Sequence, residues 1–577
     1  MIRNEEFDKL NDCFYTVIPF GTAGRRGPMG VGPNRINFRM VGESAQAVAN
    51  YLLRIRSKEA EVQRRRSKDL SAVIAYDTRH YSKEFAIRTA EVLAGNGISV
   101  YIFEDFRSVP ELSFAVRELQ ADIGIAITAS HNPPTDNGFK VYWSDGGQIL
   151  PPHDQNIIEE VNQVLEIKML ALKEAQTQGL INWIGDEIDK KYILAVCREA
   201  LLSNDNENVH VLYTPLHGTG STSVLPVLQR LGYQVDVVKE QEEPDGDFPR
   251  VKNHIPNPED PAVLELAIAR AKELGVDVVL ATDPDADRLG VAVPLNKDKK
   301  EWTTLTGNQI ASLLTYFVLE QLRQTDALPQ SGLVVKTLVT TDLMTDICKS
   351  FDVSIKGNLL VGFKYIAEVV EKNPESFIFG AEESQGFLKG NYTRDKDGAI
   401  AALLMTELTA YLKKEGKTPY QFLDELYKKY GYYKDVGKSI FLEGAEGKQQ
   451  IERIMSELRA HPPTEIGGLK VVEIHDYLLG NIRDFLSGKL QPLEGPKGNL
   501  LVFMLSQHGR TRVAVRPSGT EPKIKYYVSV YSEIKKTATE DNLAKSKETT
   551  NALATTMTQD IIRISVKSGG RSTFPYL

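Results

Sequence analysis

Two polar stretches of this 577-residue chain combine residue types and spacing that could do chemistry. In Thr282-Asp283-Pro284-Asp285-Ala286-Asp287-Arg288, three aspartates alternate, so an extended loop would project all three carboxylates to one side. Like charges this close repel unless a cation sits among them, and an all-oxygen donor set selects a hard ion such as Mg²⁺. A solvated acidic turn is the alternative; Arg288 directly after the triplet and an apolar strand before it favour the metal. The second stretch follows Ile123, Ile125 and Ile127, which alternate with small residues as a buried parallel strand does. Ser130-His131-Asn132-Pro133-Pro134 comes next, made rigid by its prolines, and the polar loop is expected to run on through Lys140. Ser130 thus falls at the carboxyl end of a strand, where open α/β sheets place their ligands, although a turn serine ordinarily bonds only its own loop.

Two further stretches suit an anion. Phe20-Gly21-Thr22-Ala23-Gly24-Arg25-Arg26-Gly27 sets glycines, which let backbone amides approach a phosphate, beside arginines, which grip it in bidentate fashion; a glycine-rich surface turn would look the same. Arg516-Pro517-Ser518-Gly519-Thr520-Glu521-Pro522-Lys523 is dense in phosphate donors.

The elements that must position these loops alternate strand and helix. Strands at Val73 to Tyr76, Val100 to Phe103 and Ile123 to Thr128 are separated by helices at Glu84 to Ala94 and Glu111 to Leu119, the pattern of a doubly wound parallel sheet. The order recurs with strands at Val209 to Tyr213, Val235 to Val238 and Val278 to Ala281, and again at Leu333 to Lys336, Val353 to Ile355 and Phe377 to Phe379. The last strand of each unit runs into a polar loop: Ser130, the aspartates, and Ala381-Glu382-Glu383-Ser384-Gln385-Gly386. Three related α/β domains whose loops face one cleft are therefore expected, followed by an α+β domain, with boundaries at 1–187, 188–328, 329–432 and 433–577. Asp77-Thr78-Arg79 ends the first strand, where it either caps a helix or, by its resemblance to an element of a known family, positions the Ser130 loop; His217-Gly218-Thr219-Gly220 is explained by a loop that begins a helix. The basic run Arg64-Arg65-Arg66 reads as a solvated face.

Composition narrows the function classes. A net charge of −8 and pI near 5.8 argue against a nucleic-acid or anionic-membrane surface. Three scattered cysteines fit neither a disulfide framework nor a zinc site, and the N-terminus lacks a signal-peptide core, so a soluble, cytoplasmic protein is expected.

Taken together, the motifs resemble those of the α-D-phosphohexomutases, the phosphoglucomutase and phosphomannomutase family, in that family's order from Gly21 to Lys523. The resemblance implies that Ser130 carries the transferable phosphoryl group, and that Asp283, Asp285 and Asp287 hold one Mg²⁺ whose fourth anchor is a phosphate oxygen. It implies that Arg26 lies in the active site, and that Lys140, helped by His131, exchanges a proton with the sugar. Arg288 and Lys396 would line the site, and Gly362 and Lys364 would form a sugar-specificity element. Glu382 and Ser384 would clamp two ring hydroxyls, while Arg516, Ser518, Gly519, Thr520 and Lys523 would grip the non-reacting phosphate. A phosphoserine carries roughly −1.5 to −2 charges near neutral pH and so requires a cation beside it.

The implied activity is interconversion of hexose 1-phosphate and hexose 6-phosphate, of glucose above all, through a bisphosphorylated sugar, with glucose 1,6-bisphosphate as activator. Partners would be small sugar phosphates, and the protein a monomer or weak dimer. Departures from the pattern widen the substrate class. Gln385 stands where glucose-specific relatives usually have Phe, and Asp-Pro-Asp-Ala-Asp-Arg resembles a branch with phosphopentomutases and glucose-1,6-bisphosphate synthases, so mannose and pentose phosphates stay open. A phosphatase and a catalytically silent sugar-phosphate-binding relative are the remaining alternatives.

Overall fold

The computed structural model describes residues 6–21, 24–63, 69–202, 209–442, 444–518, 523–534 and 540–569. The Arg64-Arg65-Arg66 run lies outside them. The first sheet has the spatial order Gly24–Pro28, Asp136–Trp143, Ile123–Ile127, Ser71–Tyr76, Ser99–Phe103, Ile181–Ile184. Ser71–Tyr76 pairs in parallel with Ser99–Phe103 and with Ile123–Ile127, and Ile123, Ile125 and Ile127 are fully buried, as expected of a strand covered on both faces. The second sheet runs Trp302–Leu305, Leu289–Pro294, Val278–Thr282, His210–Thr214, Gln234–Val237. The third runs Ser354–Leu359, Leu333–Thr337, Phe377–Glu382, Gly386–Lys389.

The three sheets share a device that the alternation of strands and helices did not reveal. Where a polar loop was expected through Lys140, the chain turns back as strand Asp136–Trp143, antiparallel to Ile123–Ile127. Leu289–Pro294 returns in the same way along Val278–Thr282, and Gly386–Lys389 along Phe377–Glu382. Each functional loop is therefore the tip of a β-hairpin, held at both ends by ladder hydrogen bonds, and the sheets are mixed rather than purely parallel.

The helices begin where their sequences dictate. Ser108 Oγ accepts from Glu111 N at 3.3 Å, and Thr306 and Thr418 close capping boxes with Gln309 and Gln421. Helix Gly398–Lys414 carries small and aliphatic residues on all sides and lies within a continuous apolar cluster that includes Phe103, Tyr213 and Phe379, one from each sheet. Truncating Leu404 at its centre should cost about 2–5 kcal/mol.

The fourth unit is a seven-stranded sheet in the order Tyr432–Phe441, Lys523–Ser532, Arg512–Pro517, Leu501–Met504, Glu473–Asp476, Asn481–Asp484, Leu490–Pro492. Helices Gly444–Ala460 and Glu540–Ser568 form a separate core with it through Ile454, Leu458, Met557 and Ile561. Between the first of these helices and Leu501–Met504, Leu469–Lys470 and Glu473–Asp476 are two short strands in different sheets. Buried and half-buried charges tie this unit to the third sheet: Arg512 to Asp342, which also binds Lys336 at 3.0 Å, and Arg510 to Asp346 at 2.7 Å. Among the described residues, no helix is long and apolar enough to cross a membrane.

Candidate active site

Ser130 is buried and adopts a left-handed backbone, φ 54°, which costs a non-glycine residue about 1–2 kcal/mol. Its amide donates to Thr128 Oγ1 at 2.8 Å, and the Thr128 hydroxyl in turn donates to Asp285 Oδ2 at 3.2 Å. What holds the loop in this shape is Arg79. Its guanidinium, fully buried, donates to the carbonyls of Ser130 at 2.5 Å, Pro133 at 2.6 Å and Asp136 at 3.1 Å, and to that of Asn132. Asp77, 3.3 Å from the Arg79 Nε, balances its charge. Of the two roles open to Asp77-Thr78-Arg79, positioning the loop is therefore the one the contacts support.

The aspartate loop does not run extended. Ala286 sits at φ 52° and its amide closes a turn onto Asp283 O at 2.9 Å; the three carboxylates converge because the chain turns between them, not because alternate residues share a side. Asp283, Asp285 and Asp287 are completely buried, with oxygens within 4.8 Å of one another. Three carbonyls of the turn each receive an amide from the start of a different helix: Pro284 O from Thr219 N at 2.8 Å, Asp285 O from Val109 N at 3.0 Å, and Ala286 O from Gly398 N at 3.0 Å. A side chain at Gly218 would collide with Pro284, so His217-Gly218-Thr219-Gly220 forms the floor of this turn as well as beginning a helix.

The Ser130 hydroxyl points straight at the carboxylates. Its Oγ donates to Asp283 Oδ2 at 2.7 Å and lies 3.3 Å from His131 Nδ1. Cations surround the cluster: Lys140 Nζ stands 2.7 Å from Asp285 and 3.8 Å from Asp287, Lys396 Nζ is 2.8 Å from Asp287, and Arg288 Nε is 3.9 Å from Asp283 and 3.8 Å from Asp287. Burial and the neighbouring carboxylates push Asp283 well above the usual range. Burial acts most strongly on Asp285 too, but the Lys140 ammonium, a hydrogen bond with Asp283 and the charge of Lys396 together hold that carboxyl low. Burial, then the positive charges of Arg288, Arg26, Lys523 and Lys525, press His131 far below its ordinary value, so its ring is neutral.

The donor set fits a divalent cation. Asp285 Oδ1 and Asp287 Oδ1 are buried without a hydrogen-bond partner, and three carboxylates beside a serine oxygen form the hard, all-oxygen set that Mg²⁺ takes.

The other site residues of the sequence lie on the same hairpins or on neighbouring elements. Arg26 lies on strand Gly24–Pro28 opposite Gly138, just past the Ser130 turn. Glu382 is buried at the end of its strand, its carboxyl pushed up to about 7 by burial, and Ser384 occupies the half-buried tip of the same hairpin. Gly386 leaves room for Lys396 and Glu382 to lie side by side. Gln385, the departure from the glucose pattern, is buried: its Nε2 bonds Pro258 O at 3.3 Å and its backbone carbonyl accepts from Leu289 N at 3.0 Å, which joins the Glu382 hairpin to the aspartate hairpin. Gly362 and Lys364 begin helix Phe363–Lys372, and burial lowers the Lys364 ammonium. Arg516 is the penultimate residue of its strand, Ser518 N donates to Lys523 O at 2.8 Å, and Lys523 lies over the Phe441 ring. Gly519 and Thr520 fall outside the described residues, as does Thr22. The role of Arg79 was only half visible in sequence, because a guanidinium serving four carbonyls more than fifty residues away leaves no local pattern.

A hairpin-borne serine, a three-carboxylate turn, a glutamate hairpin and a basic strand define a phosphohexomutase-type site, and comparison with known proteins agrees. Domains I, II and III of the family described as phosphoglucomutase/phosphomannomutase match residues 18–168, 190–296 and 306–430. Phosphoglucomutase of Staphylococcus saprophyticus is 36% identical over 91% of this chain and 93% of its own, and that of Staphylococcus aureus is 36% identical over 90% of each. Among solved structures, a phosphoglucomutase/phosphomannomutase family protein from Burkholderia thailandensis superposes with a TM-score of 0.62 at 17% identity, covering 96% of this chain and 98% of its own. Parafusin of Paramecium, a phosphoglucomutase, does so with a TM-score of 0.61 at 17% identity, covering 97% and 99%. The chain belongs to the phosphoglucomutase/phosphomannomutase family, and it is an enzyme of the mutase class.

Proposed function

We propose that this protein interconverts hexose 1-phosphate and hexose 6-phosphate, with glucose the preferred sugar, through phosphorylated Ser130 and a bisphosphorylated sugar. The observation that carries the reading is the 2.7 Å contact of Ser130 Oγ with Asp283 inside a fully buried carboxylate triad. In the forward direction the bond from phosphorus to Ser130 Oγ breaks and one from phosphorus to a sugar oxygen forms. The sugar hydroxyl gives up its proton, and the bisphosphate then returns its other phosphoryl group to Ser130. Phosphoryl transfer asks the protein for alignment and charge more than for covalent help. Arg79 and the left-handed Ser130 supply the alignment. Asp283, Asp285 and Asp287 would hold Mg²⁺, which withdraws charge from the phosphoryl oxygens and lets the serine oxygen leave.

Two groups of the site handle protons. His131, neutral and 3.3 Å from Ser130 Oγ, serves the oxygen that leaves phosphorus, since in-line transfer puts the sugar hydroxyl on the far side. Lys140, 2.7 Å from Asp285, would exchange the proton with the sugar hydroxyl and also offset the charge of the triad. Glu382 and Ser384 would clamp ring hydroxyls, with Arg516, Ser518, Gly519, Thr520 and Lys523 on the distal phosphate and Gly362 and Lys364 beside the sugar. Gln385, buried against Pro258, is placed to set the pitch of the clamp without touching the sugar.

The test is isomerisation of glucose, mannose, glucosamine and ribose 1-phosphates by the wild type and by Ser130→Ala. The proposal requires glucose 1-phosphate to turn over fastest and Ser130→Ala to abolish turnover. Continuous release of inorganic phosphate would instead mark a phosphatase. A folded wild type that binds these sugars without converting any would be a silent relative.

A further inference from the structure

Asp397 is fully buried and takes no part in the chemistry derived above, yet it lies between two of the loops that do. It is the extended residue before helix Gly398–Lys414, with Oδ1 accepting from Ala399 N at 2.7 Å as an N-cap does. Its Oδ2 accepts from the hydroxyls of Tyr192 at 2.8 Å and Tyr392 at 2.5 Å. Its amide donates to Phe387 O at 2.8 Å, on the return strand of the Glu382 hairpin. The next residue, Gly398, donates its amide to Ala286 O, at the left-handed position that closes the aspartate turn, and a Cβ on Gly398 would stand only 2.7 Å from that oxygen. The preceding residue, Lys396, places its ammonium on Asp287.

We propose that Asp397 is the positioning residue of the metal turn. Pinned by two tyrosines and a helix start, it fixes the place of Gly398 and so the turn at Ala286, on which the convergence of Asp283, Asp285 and Asp287 depends. Through Phe387 it keeps the sugar-clamping hairpin in register with that turn. The inference rests on the reading of the triad as a metal site. Partners one bond removed from the ligands orient them, and their loss ordinarily weakens metal binding 10- to 100-fold; Asp397 acts one step further out, through the Gly398 amide on Ala286 O, so the low end of that range applies. The other two amides on the turn, from Thr219 and Val109, start helices whose caps Asp397 does not touch, so its removal should loosen one side of the turn rather than unfold it.

The experiment titrates Mn²⁺, a spin-active substitute for Mg²⁺, into the whole unphosphorylated protein and counts free ion by electron paramagnetic resonance, beside thermal melts. Asp397→Asn keeps one oxygen for Ala399 but loses the charge that two hydroxyls share; Tyr392→Phe removes one pin while Tyr192 stays on the Ser108 cap, and carries the test if the first variant does not fold. Both are expected to bind Mn²⁺ roughly tenfold more weakly than wild type, while Asp285→Asn binds none. Unchanged Mn²⁺ affinity in the folded variants, with or without a lower melting temperature, would reduce Asp397 to a structural cap and overturn the proposal. If Asp285→Asn bound like wild type, the metal reading itself would fall and this inference with it.

Discussion

Replacing Arg79 by Lys isolates the alignment of the nucleophile from the chemistry around it. The charge that balances Asp77 is kept, but an ammonium is a point donor on a flexible stem and cannot span the carbonyls of Ser130, Asn132, Pro133 and Asp136 as the planar guanidinium does. Charge-assisted bonds of this kind contribute about 1.5–3 kcal/mol each. If Lys retains two of the four and loses those to Ser130 and Asn132, the turn gives up about 3 kcal/mol at the low end of that range. That exceeds the 1–2 kcal/mol needed to keep Ser130 left-handed, so the relaxed loop should dominate. With the clamp gone, the 1–2 kcal/mol of strain sets the balance, and at about 1.4 kcal/mol per tenfold kcat should fall by roughly one order of magnitude at saturating sugar phosphate and Mg²⁺. Mn²⁺ affinity should hardly change, because Arg79 makes no bond to the aspartate turn in this structure. The assay is initial rate against substrate concentration, with metal titration as the control for folding. A folded Arg79→Lys protein whose kcat stayed within about threefold of wild type would show that the loop does not need this clamp.

Glu382→Gln tests what burial costs the clamp. The Glu382 carboxyl titrates at about 7 when folded against an ordinary 4.5, so the folded chain keeps a proton that the unfolded chain releases; its stabilising contribution is complete below pH 4.5 and is lost as pH rises to 7. The Gln variant should therefore melt with wild type near pH 4.5 and above it at pH 8, while its KM for sugar phosphate rises; equal melting temperatures at pH 8 would contradict this. Arg512→Ala leaves Asp342 with Lys336 alone beneath the fourth unit, and removing one partner of a buried pair costs about 3–5 kcal/mol. The melt should drop and limited proteolysis should open the chain between the third and fourth units, with a wild-type digestion pattern counting against it. Gln385→Ala deletes the bond to Pro258 without touching the sugar, so the ratio of glucose to mannose turnover should shift only slightly; an inverted preference would place Gln385 in the specificity machinery.

The positions of Ser130, the triad and Glu382 were legible because each follows an apolar strand, and an apolar strand is the strongest signal a sequence carries. The return strands were not. Asp136-Asn137-Gly138-Phe139-Lys140 mixes polar and small residues because its ladder partners, Ile123–Ile127 on one side and Gly24–Pro28 on the other, lend it stability its own composition lacks. The aspartate turn was read as extended because alternation suggests a strand; a left-handed alanine is stabilised by distant amides from Thr219, Val109 and Gly398, none of which is visible locally. Gln385 was read as a departure that widens the substrate class; its left-handed backbone, φ 62°, turns its side chain toward Pro258, a contact 127 residues away that nothing local announces.

The account stands or falls on whether Ser130 exchanges a phosphoryl group with the sugar. Intact-protein mass measured after exposure to glucose 1,6-bisphosphate, then again after an excess of glucose 6-phosphate, reads this directly. One phosphoryl group should appear, map to the peptide containing Ser130, and disappear on discharge, with Ser130→Ala never acquiring it. A wild type that turns over at full rate with Ser130 unmodified throughout would contradict the mechanism.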